Sequence, residues 1–197
     1  DRQTLGRGRL GRSWHSAPGL GLWFTVALDG LVDGLTFAAA LSVRDALKER
    51  CAPAVKWPND ILIHGKKVCG ILTEHREGRT AIGIGINVHH RMSDFPEELQ
   101  NKAGSLATET SGTWNRADLL RDVLTHLDKN IILLKKGDYA AVHAEWVAAC
   151  GLTGRRVRCG THTGIVETID PQGALILNTS QGPQRVVSGD LIYLDGD

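Results

Sequence analysis

The sequence predicts an α+β fold with a largely antiparallel sheet, accompanying helices and a small β-barrel at the end of the chain. Three strand-like runs follow one another across short turns in the first half, which is typical of an antiparallel meander. Two later segments carry apolar residues at helical spacing. After Gly151, short Val/Ile/Leu-rich runs alternate with glycine-containing turns, and this pattern indicates a small barrel.

The main sheet and its first helix are predicted from the first 113 residues. Residues 22–28 are dense in β formers and predict a buried strand. Residues 36–50 have the apolar spacing of a core-facing helix, with Thr36 as a candidate N-cap. The meander is predicted at residues 54–63, 67–74 and 79–88, and an irregular excursion at residues 89–113.

The second half is predicted to be helical and then rich in strands. Asn115 is expected to cap a helix over residues 116–136. Asp138 is expected to cap a shorter helix over residues 139–150, which Gly151 ends. The barrel strands are predicted at residues 155–159, 164–169, 174–178, 185–187 and 191–194, with a main domain over residues 1–151 and the barrel over residues 152–197.

Composition and charge limit the classes of function. Of 197 residues, 42% are apolar and 23% are charged, as in ordinary globular proteins. The 23 basic and 22 acidic residues give a net charge of +1, which argues against a dedicated nucleic-acid binder. No apolar run approaches the roughly 18 to 20 residues of a membrane span, so no membrane partner is predicted. Free thiols in a reducing cytoplasm are predicted for the four cysteines, which lack zinc-site spacing.

Residues 3–14 form a stretch in which glycines alternate with arginines before Trp14. Glycine admits positive φ and leaves backbone N–H groups open, and consecutive open N–H groups can bind an anion. Arginine adds a planar fork for carboxylate or phosphate, and Trp14 offers a surface for a base. The stretch therefore predicts a loop around a small anionic ligand with a nucleobase. The alternative is a Gly/Arg-rich tail that contacts nucleic-acid phosphates.

The sequence Lys-Trp-Pro-Asn-Asp at residues 56–60 puts a rigid proline between a cation, an amide and a carboxylate. A two-residue turn at residues 64–65 would place Lys67 across from Leu62, and Asp60 across from Cys69. Because paired residues share a face of the sheet, Lys67 and Asp60 would then point the same way. The alternatives are a solvated ion pair at a turn and a surface lysine near a hairpin.

The last strand of the meander has two different faces. Alternation puts the isoleucines of residues 82–86 on one face and Gly83, Gly85 and Asn87 on the other. Two glycines and one amide are poor core material, and they leave room for a ligand or another backbone.

The register of that strand depends on the length of one turn. A three-residue turn at residues 76–78 places Asn87 opposite Lys67, whereas a two-residue turn places Asn87 opposite Val68, on the far face. In the first case Val68 and Leu72 share the buried face of the isoleucines. We therefore predict the three-residue turn, with Asn87 and Lys67 on one face.

Four motifs together carry a resemblance to a known family. In order they are Gln-Thr-x-Gly-Arg-Gly-Arg-x-Gly-Arg-x-Trp, Lys-Trp-Pro-Asn-Asp, Lys-x-x-Gly-Ile-Leu-x-Glu and Gly-x-Gly-Ile-Asn-Val. Over residues 3–88 the chain resembles the biotin–protein ligase (biotin–[acetyl-CoA-carboxylase] ligase) family, and the helices and barrel continue the resemblance to residue 197. It implies a mixed, largely antiparallel sheet with helices, related to class II synthetases, and an SH3-like β-barrel. It also implies that the chain lacks the N-terminal part of the family's catalytic domain, which includes a Ser-Thr-Asn motif that helps to hold biotin.

The resemblance implies a two-step reaction that uses ATP and Mg²⁺. Biotin would be activated as biotinyl-5′-AMP and then transferred to a lysine of a biotin carboxyl carrier protein, an acetyl-CoA carboxylase subunit. The implied catalytic residues are Lys67 and Arg9. The implied contacts are Gln3, Arg7, Gly8, Arg9 and Lys67 for biotin, Arg12, Trp14, Lys56, Asn59 and Asn87 for ATP, with Trp14 covering the adenine, and Asp60 for the metal.

Other functions stay open at this point. A lipoate or related acyl ligase on the same fold is the nearest enzyme alternative. A nucleotide-binding fragment without activity follows if the missing N-terminal biotin-binding motif is indispensable. A nucleic-acid-binding module led by the arginine loop is the alternative from a different class, but the chain lacks a basic excess. The resemblance implies a cytoplasmic protein and is compatible with a homodimer.

Overall fold

The computed structural model of the protein describes residues 3–195, and these residues form two five-stranded antiparallel sheets and four α-helices. Residues 1, 2, 196 and 197, the ends of the two predicted domains, lie outside the described residues. The elements are β1 (Gly21–Asp29), α1 (Leu35–Leu47), β2 (Ala54–Lys56), β3 (Asp60–Ile63), β4 (Lys66–Arg76), β5 (Arg79–Asn87), α2 (Leu106–Glu109), α3 (Arg116–Lys135), α4 (Tyr139–Cys150), β6 (Arg156–Cys159), β7 (His162–Ile169), β8 (Leu175–Thr179), β9 (Gly182–Val186) and β10 (Leu191–Tyr193).

The first sheet has the strand order β1-β5-β4-β3-β2, and helices cover one of its faces. The isoleucines of β5 at positions 82, 84 and 86 are buried on the helical side, as their alternation predicts. Helix α1 is buried along most of its length, and three consecutive alanines, residues 38–40, let its backbone approach its neighbours closely. Among residues 3–195, no helix is long and apolar enough to cross a membrane.

Two predicted helix ends are confirmed. The side chain of Asn115 accepts hydrogen bonds from the backbone N–H groups of Ala117 and Asp118, at 2.8 and 3.2 Å, and so satisfies two of the free donors at the start of α3. Gly151 ends α4 in the left-handed conformation, with φ 57°, which glycine adopts without steric cost.

One predicted N-cap is wrong, and a second is confirmed in position only. Helix α1 begins one residue before Thr36, after Gly34 at φ 80°, and the Thr36 hydroxyl instead donates to the hydroxyl of Thr73 at 2.9 Å. A partner across the fold therefore outcompetes the local cap. Asp138 does precede α4, but its side chain makes no capping hydrogen bond.

The predicted strand over residues 54–63 is wrong as a single element. The chain reverses at residues 57–59, across a cis Trp57–Pro58 peptide, and forms β2 and β3. Proline has no N–H group for the strand ladder, and this explains why the ladder is interrupted there. Lys56 and Asp60 face each other across the turn as the last pair of the β2–β3 ladder.

The second sheet has the strand order β10-β6-β7-β8-β9, without a ladder between β9 and β10 in the described residues. A closed barrel is therefore not formed by backbone hydrogen bonds there. Strands β7 and β9 begin two and three residues earlier than predicted. The early start of β9 follows from a tight turn in which the Thr179 hydroxyl donates to the Gly182 carbonyl at 2.7 Å.

The two sheets share one hydrophobic cluster. The indole N–H of Trp57 donates to the carbonyl of Gly173 at 2.8 Å, and both groups are buried. His143 Nε2 lies 2.8 Å from the Asp170 carbonyl, and the Tyr139 hydroxyl donates to the Pro171 carbonyl. The turn at residues 170–173 is therefore tied to α4 and to the turn between β2 and β3, and a domain split after residue 151 stays a prediction.

The β3–β4 hairpin contains a β-bulge. Leu62 pairs with Lys67, as predicted, but Val68 is then an extra residue, and Asp60 pairs with Gly70 rather than with Cys69. The predicted pairing of Asp60 is wrong by one position. A bulge puts the residues on its two sides out of phase, so Lys67 and Gly70 come to lie on the same face.

The β4–β5 turn is also shorter than predicted. Arg76 pairs with Arg79 across Glu77 and Gly78, which have φ values of 52° and 74°. The three-residue register is therefore wrong, and Asn87 does not pair with Lys67. The predicted common face of Asn87 and Lys67 survives because the bulge reverses the phase of Lys67, and both side chains still line one cavity. The prediction for Leu72 is wrong, because Leu72 pairs with Gly83 and lines the cavity instead of sharing the isoleucine face.

Candidate active site

A cavity of about 650 Å³ lies on the glycine-bearing face of the first sheet. The loop before β1 covers it, residues 95–103 form one wall, and residues 188–191 of the C-terminal sheet close another side. All eleven residues predicted for the site line this cavity: Gln3, Arg7, Gly8, Arg9, Arg12, Trp14, Lys56, Asn59, Asp60, Lys67 and Asn87. The structure therefore brings the predicted residues together, although their roles stay predictions.

The glycine-arginine loop folds back on itself as a small hairpin. Trp14 N–H donates to the Gly6 carbonyl at 2.8 Å, and Gly8 N–H donates to the Arg12 carbonyl at 2.7 Å. The expectation that the glycine N–H groups stay open for a ligand is therefore wrong at Gly8, although Gly8 lines the cavity. At the exposed tip, Leu10 adopts φ 56°, which is uncommon for a non-glycine residue.

Trp14 lies directly on the glycine face of the sheet. Gly70 and Gly85 pair with each other across β4 and β5, and a Cβ atom on either would stand within 2.8 Å of the Trp14 indole. The two glycines are therefore needed for this close approach. Farther along β5, a Cβ atom at Gly83 would meet only ordinary contacts, at 3.6 Å or more. The predicted space on this face is thus taken by Trp14 at Gly85 and is open at Gly83.

Lys67 reaches into the cavity beside a carboxylate. Its Nζ lies 2.7 Å from Asp60 Oδ1 as an ion pair, and Oδ1 makes no aligned hydrogen bond within the described chain. The Nζ is also 5.5 Å from the centre of a Trp14 ring. The predicted common direction of Lys67 and Asp60 is confirmed. Lys67 thus presents a cation to the cavity that is already paired with the Asp60 carboxylate.

Arg9 differs from the other cations of the cavity. Its Nη1 donates a long hydrogen bond of 3.4 Å to Asn59 Oδ1, and Asn59 Nδ2 donates to the Ile71 carbonyl at 2.6 Å. In residues 3–195 no carboxylate lies within 4 Å of the Arg9 guanidinium. Burial lowers the pKa of Arg9, and the nearby charge of Asp60 opposes this only in part. A partly buried guanidinium of this kind is suited to receive an anion.

The end of the cavity near the C-terminal sheet is also cationic. Arg12 makes two hydrogen bonds to Asp190, at 2.9 and 2.8 Å, although 178 residues separate them in the chain. The Arg12 hydrogen bond lowers the pKa of Asp190 most, burial opposes it, and the charges of Arg12, Lys56 and Lys102 add to it. Three cations thus surround one exposed carboxylate. No local sequence pattern could have indicated Asp190 or Lys102, because both are brought here by the fold.

Asn87 acts on the wall of the cavity. Its buried side chain donates to the Gly104 carbonyl at 2.9 Å. Lys67 N–H donates to the Lys102 carbonyl at 2.8 Å, and Gly104 N–H donates to the Lys67 carbonyl at 2.9 Å. The segment of residues 102–104 therefore continues the sheet beside Lys67.

The residues at the site fit Mg²⁺ only together with phosphates. In the part of the chain that the structure describes, no group of three or more His, Cys, Asp or Glu residues could hold a metal ion. Asp60 is one carboxylate next to Lys67. Since Mg²⁺ in nucleotide sites keeps several waters and binds one or two carboxylates plus substrate phosphates, one carboxylate fits such a site.

The fold and the cavity define an α+β protein with a cationic ligand site and an additional small β domain. A family model described as "Biotin/lipoate A/B protein ligase family" matches residues 1–90, and one described as "Biotin protein ligase C terminal domain" matches residues 153–192. The chain belongs to the biotin protein ligase family, as its relatives of known name and structure show.

Relatives of known name can be aligned with nearly the whole chain. The bifunctional ligase/repressor BirA of Bacillus subtilis is 36% identical over 207 residues, which are 97% of this chain, and the chain spans 64% of the length of that protein. The biotin–[acetyl-CoA-carboxylase] ligase of Mycobacterium tuberculosis is 31% identical over 98% of this chain and 77% of its own length. The solved biotin protein ligase from Aquifex aeolicus in complex with biotin and ATP has a TM-score of 0.84 and 32% identity, and the match covers 100% of this chain and 87% of that one.

Proposed function

We propose that this chain is a biotin–protein ligase that makes biotinyl-5′-AMP from biotin and ATP and transfers the biotinyl group to a lysine of a biotin carboxyl carrier protein. The observation that carries the proposal is the partly buried Arg9 guanidinium, which has no carboxylate partner in residues 3–195 and faces the same cavity as Lys67. A relative of similar fold is described in complex with biotin and ATP.

The first step joins two anions. The biotin carboxylate oxygen attacks the α-phosphorus of ATP, a P–O bond to the β-phosphate breaks, and pyrophosphate leaves. Repulsion between carboxylate and phosphate opposes this approach. Arg9 and Lys67 would offset the repulsion, hold the reacting atoms in line and stabilise the charge that develops on the α-phosphate. The step needs no covalent bond to the protein.

The remaining site residues divide between the two substrates. For biotin we propose Gln3, Arg7 and Gly8, with Arg9 and Lys67 at its carboxylate. For ATP we propose Arg12 and Lys56. Both lie near the Asp190 carboxylate, and the triphosphate would bind these cations beside Asp190 or in its place. Asn59 would orient Arg9, Asn87 would hold the wall that it contacts, and Trp14 would cover the adenine.

Mg²⁺ would enter with the phosphates of ATP, and Asp60 is its proposed protein ligand. When bound, it would neutralise phosphate charge that the cations of the chain do not reach. Asp60 is already paired with Lys67 at 2.7 Å. Through this contact, Asp60 would also hold the Lys67 ammonium in the cavity.

The second step forms an amide. The ε-amine of the acceptor lysine, after loss of a proton, attacks the acyl carbon of biotinyl-5′-AMP, and AMP leaves. The carrier protein, a homodimeric state and a cytoplasmic location stay predictions for this chain.

The test is an assay for the intermediate. The chain is incubated with Mg²⁺, ATP labelled at the α-phosphate, and either biotin or lipoate, and the acyl-adenylate is separated by thin-layer chromatography. We expect biotinyl-5′-AMP, and labelled biotin should then appear on an added apo carrier domain. Adenylate from lipoate alone would favour the lipoate ligase. ATP binding without adenylate from either acid would favour the inactive nucleotide-binding fragment and refute the proposal.

A further inference from the structure

The hairpin between β3 and β4 presents two adjacent lysines to different surroundings. Lys67 turns to the cavity and contacts Asp60, whereas Lys66 contacts Glu109, with 3.6 Å between Lys66 Nζ and Glu109 Oε1. Neighbouring residues on a strand point to opposite faces. Glu109 therefore holds the same hairpin from the side that faces away from the cavity.

Glu109 is a buried carboxylate, with its side chain 8% exposed. Its Oε2 lies 3.6 Å from His64 Nδ1, and its Oε1 accepts a hydrogen bond of 3.1 Å from the Thr108 hydroxyl. A buried charge is costly unless it is paired. The His64 imidazole and the Lys66 ammonium, which approach this carboxylate, both belong to the hairpin that carries Lys67, so the position of this hairpin is coupled to Glu109.

The same carboxylate lies against the wall segment of the cavity. A Cβ atom at Gly104 would stand 2.8 Å from Glu109 Cγ and 3.0 Å from Lys66 Cβ, so these three residues are in close contact. Gly104 N–H donates to the Lys67 carbonyl, and Lys67 N–H donates to the Lys102 carbonyl. Glu109 thus stands where the hairpin and the segment of residues 102–104 meet.

We propose that Glu109 is a positioning residue that fixes the main chain of Lys67 against residues 102–104. Its contacts reach Lys67 through His64, Lys66 and Gly104, so it acts on the geometry of the Lys67 ammonium and not on a substrate. The catalytic part of this inference rests on the proposed function, because it concerns the rate of the adenylation step that Lys67 would serve.

The first experiment measures the coupling directly. Amide hydrogen exchange is compared in the wild-type chain and in Glu109→Gln, which keeps the shape of the side chain and removes its charge. We expect faster exchange at Lys67 and Gly104, whereas the amide of Ile71, bonded to the Asn59 carbonyl at 3.0 Å, should be unchanged. Glu98→Gln is the matched control, since Glu98 is exposed and lies in the same long segment.

The second experiment measures adenylate formation by the same variants. A displacement of about 1 Å at a catalytic group can cost up to about 10²-fold in rate. We expect Glu109→Gln to lower kcat by at least about 10-fold, with KM for biotin within about 2-fold of wild type. Lys66→Met removes the ammonium group that contacts Glu109, at a side chain that is already partly exposed. Because both substitutions break the same contact, the double variant should be no slower than the slower single variant.

The outcomes separate the two proposals. Unchanged exchange at Lys67 and Gly104 in Glu109→Gln, or strictly additive effects of Glu109→Gln and Lys66→Met, would overturn the positioning role. A wild-type chain that makes no adenylate would refute the proposed function instead, and the exchange comparison would still decide whether Glu109 fixes the Lys67 main chain.

Discussion

Gly85→Ala is expected to disturb the site by moving Trp14. The new Cβ atom would stand 2.7 Å from Trp14 Cε2 and 2.8 Å from Cζ2. Carbon atoms in favourable contact are about 3.5–4.0 Å apart, so the indole must shift by about 1 Å. Gly85 does not have a positive φ, so alanine brings no backbone strain and the effect is confined to this contact.

The size of the effect depends on how the Trp14 loop responds. Overpacking in a tight site costs about 1–3 kcal/mol of stability. The cost is smaller if the loop that carries Trp14 moves away from the new methyl group. The loop that yields carries Arg9, and Lys67 Nζ is 5.5 Å from the Trp14 ring. A shift of about 1 Å at such groups can lower the rate by up to about 10²-fold. We therefore expect a loss of about 1 kcal/mol in stability and at least about 10-fold in adenylate formation.

Gly83→Ala is the matched control, two residues away on the same strand and face. Its Cβ atom would have its nearest neighbours at 3.6 and 3.9 Å, so Trp14 should not move. Because alanine lowers the backbone entropy of the unfolded chain, this variant should be more stable than wild type by about 0.5 kcal/mol. Urea unfolding and the adenylate assay compare the pair. Equal stability and equal rates in the two variants would refute the claim that Trp14 is held against Gly85.

Four further outcomes are expected. Lys67→Ala should slow adenylate formation by on the order of 10²-fold or more. It should also destabilise the fold by about 1 kcal/mol, because Asp60 loses its partner. The added substitution Asp60→Asn should restore stability but not the rate, and a wild-type rate in Lys67→Ala would exclude a catalytic role of Lys67. Arg9→Ala should weaken biotin binding and release biotinyl-5′-AMP faster in single-turnover experiments; unchanged release would limit Arg9 to holding the loop. Trp57→Phe should lower the free energy of unfolding by about 1–3 kcal/mol, since a buried carbonyl loses its donor, and a urea midpoint equal to that of wild type would contradict this. Burial lowers the pKa of His90 from 6.5 to about 4. The unfolded chain therefore binds the proton at a higher pH than the folded chain does, and about 3 kcal/mol of stability should be lost as pH falls from 6.5 to 4. His90→Phe should flatten this pH dependence of the free energy of unfolding, measured at pH 7 and 4.5, and an unchanged dependence would show that another group is responsible.

The sequence allowed the elements to be predicted because their signals are local. The Asn115 cap, the stop at Gly151 and the isoleucine alternation of β5 depend on residues within one turn or one strand. The site residues were predicted from the resemblance of four motifs to one family, and all of them line one cavity.

The failures arise where tertiary contacts decide. The bulge at Val68 and the two-residue turn at Glu77–Gly78 were both missed, and each alone would have put Asn87 and Lys67 on opposite faces. Thr36 was expected to cap a helix but found Thr73 instead. Asp190 is 178 residues away from Arg12 in the chain, and their contact exists only after the two sheets meet.

The extra residue in β4 has a consequence for how this part of the chain can vary in length. Removal of Val68 would cancel the bulge and leave Lys67 two residues before Gly70 on a regular strand, so Lys67 should still face the cavity. The turn at Glu77–Gly78 lies outside the cavity, at the far end of the same hairpin. Loop extensions are tolerated at such tips. Natural length variation in this hairpin should therefore be tolerated at its tip and, by one residue, at the bulge.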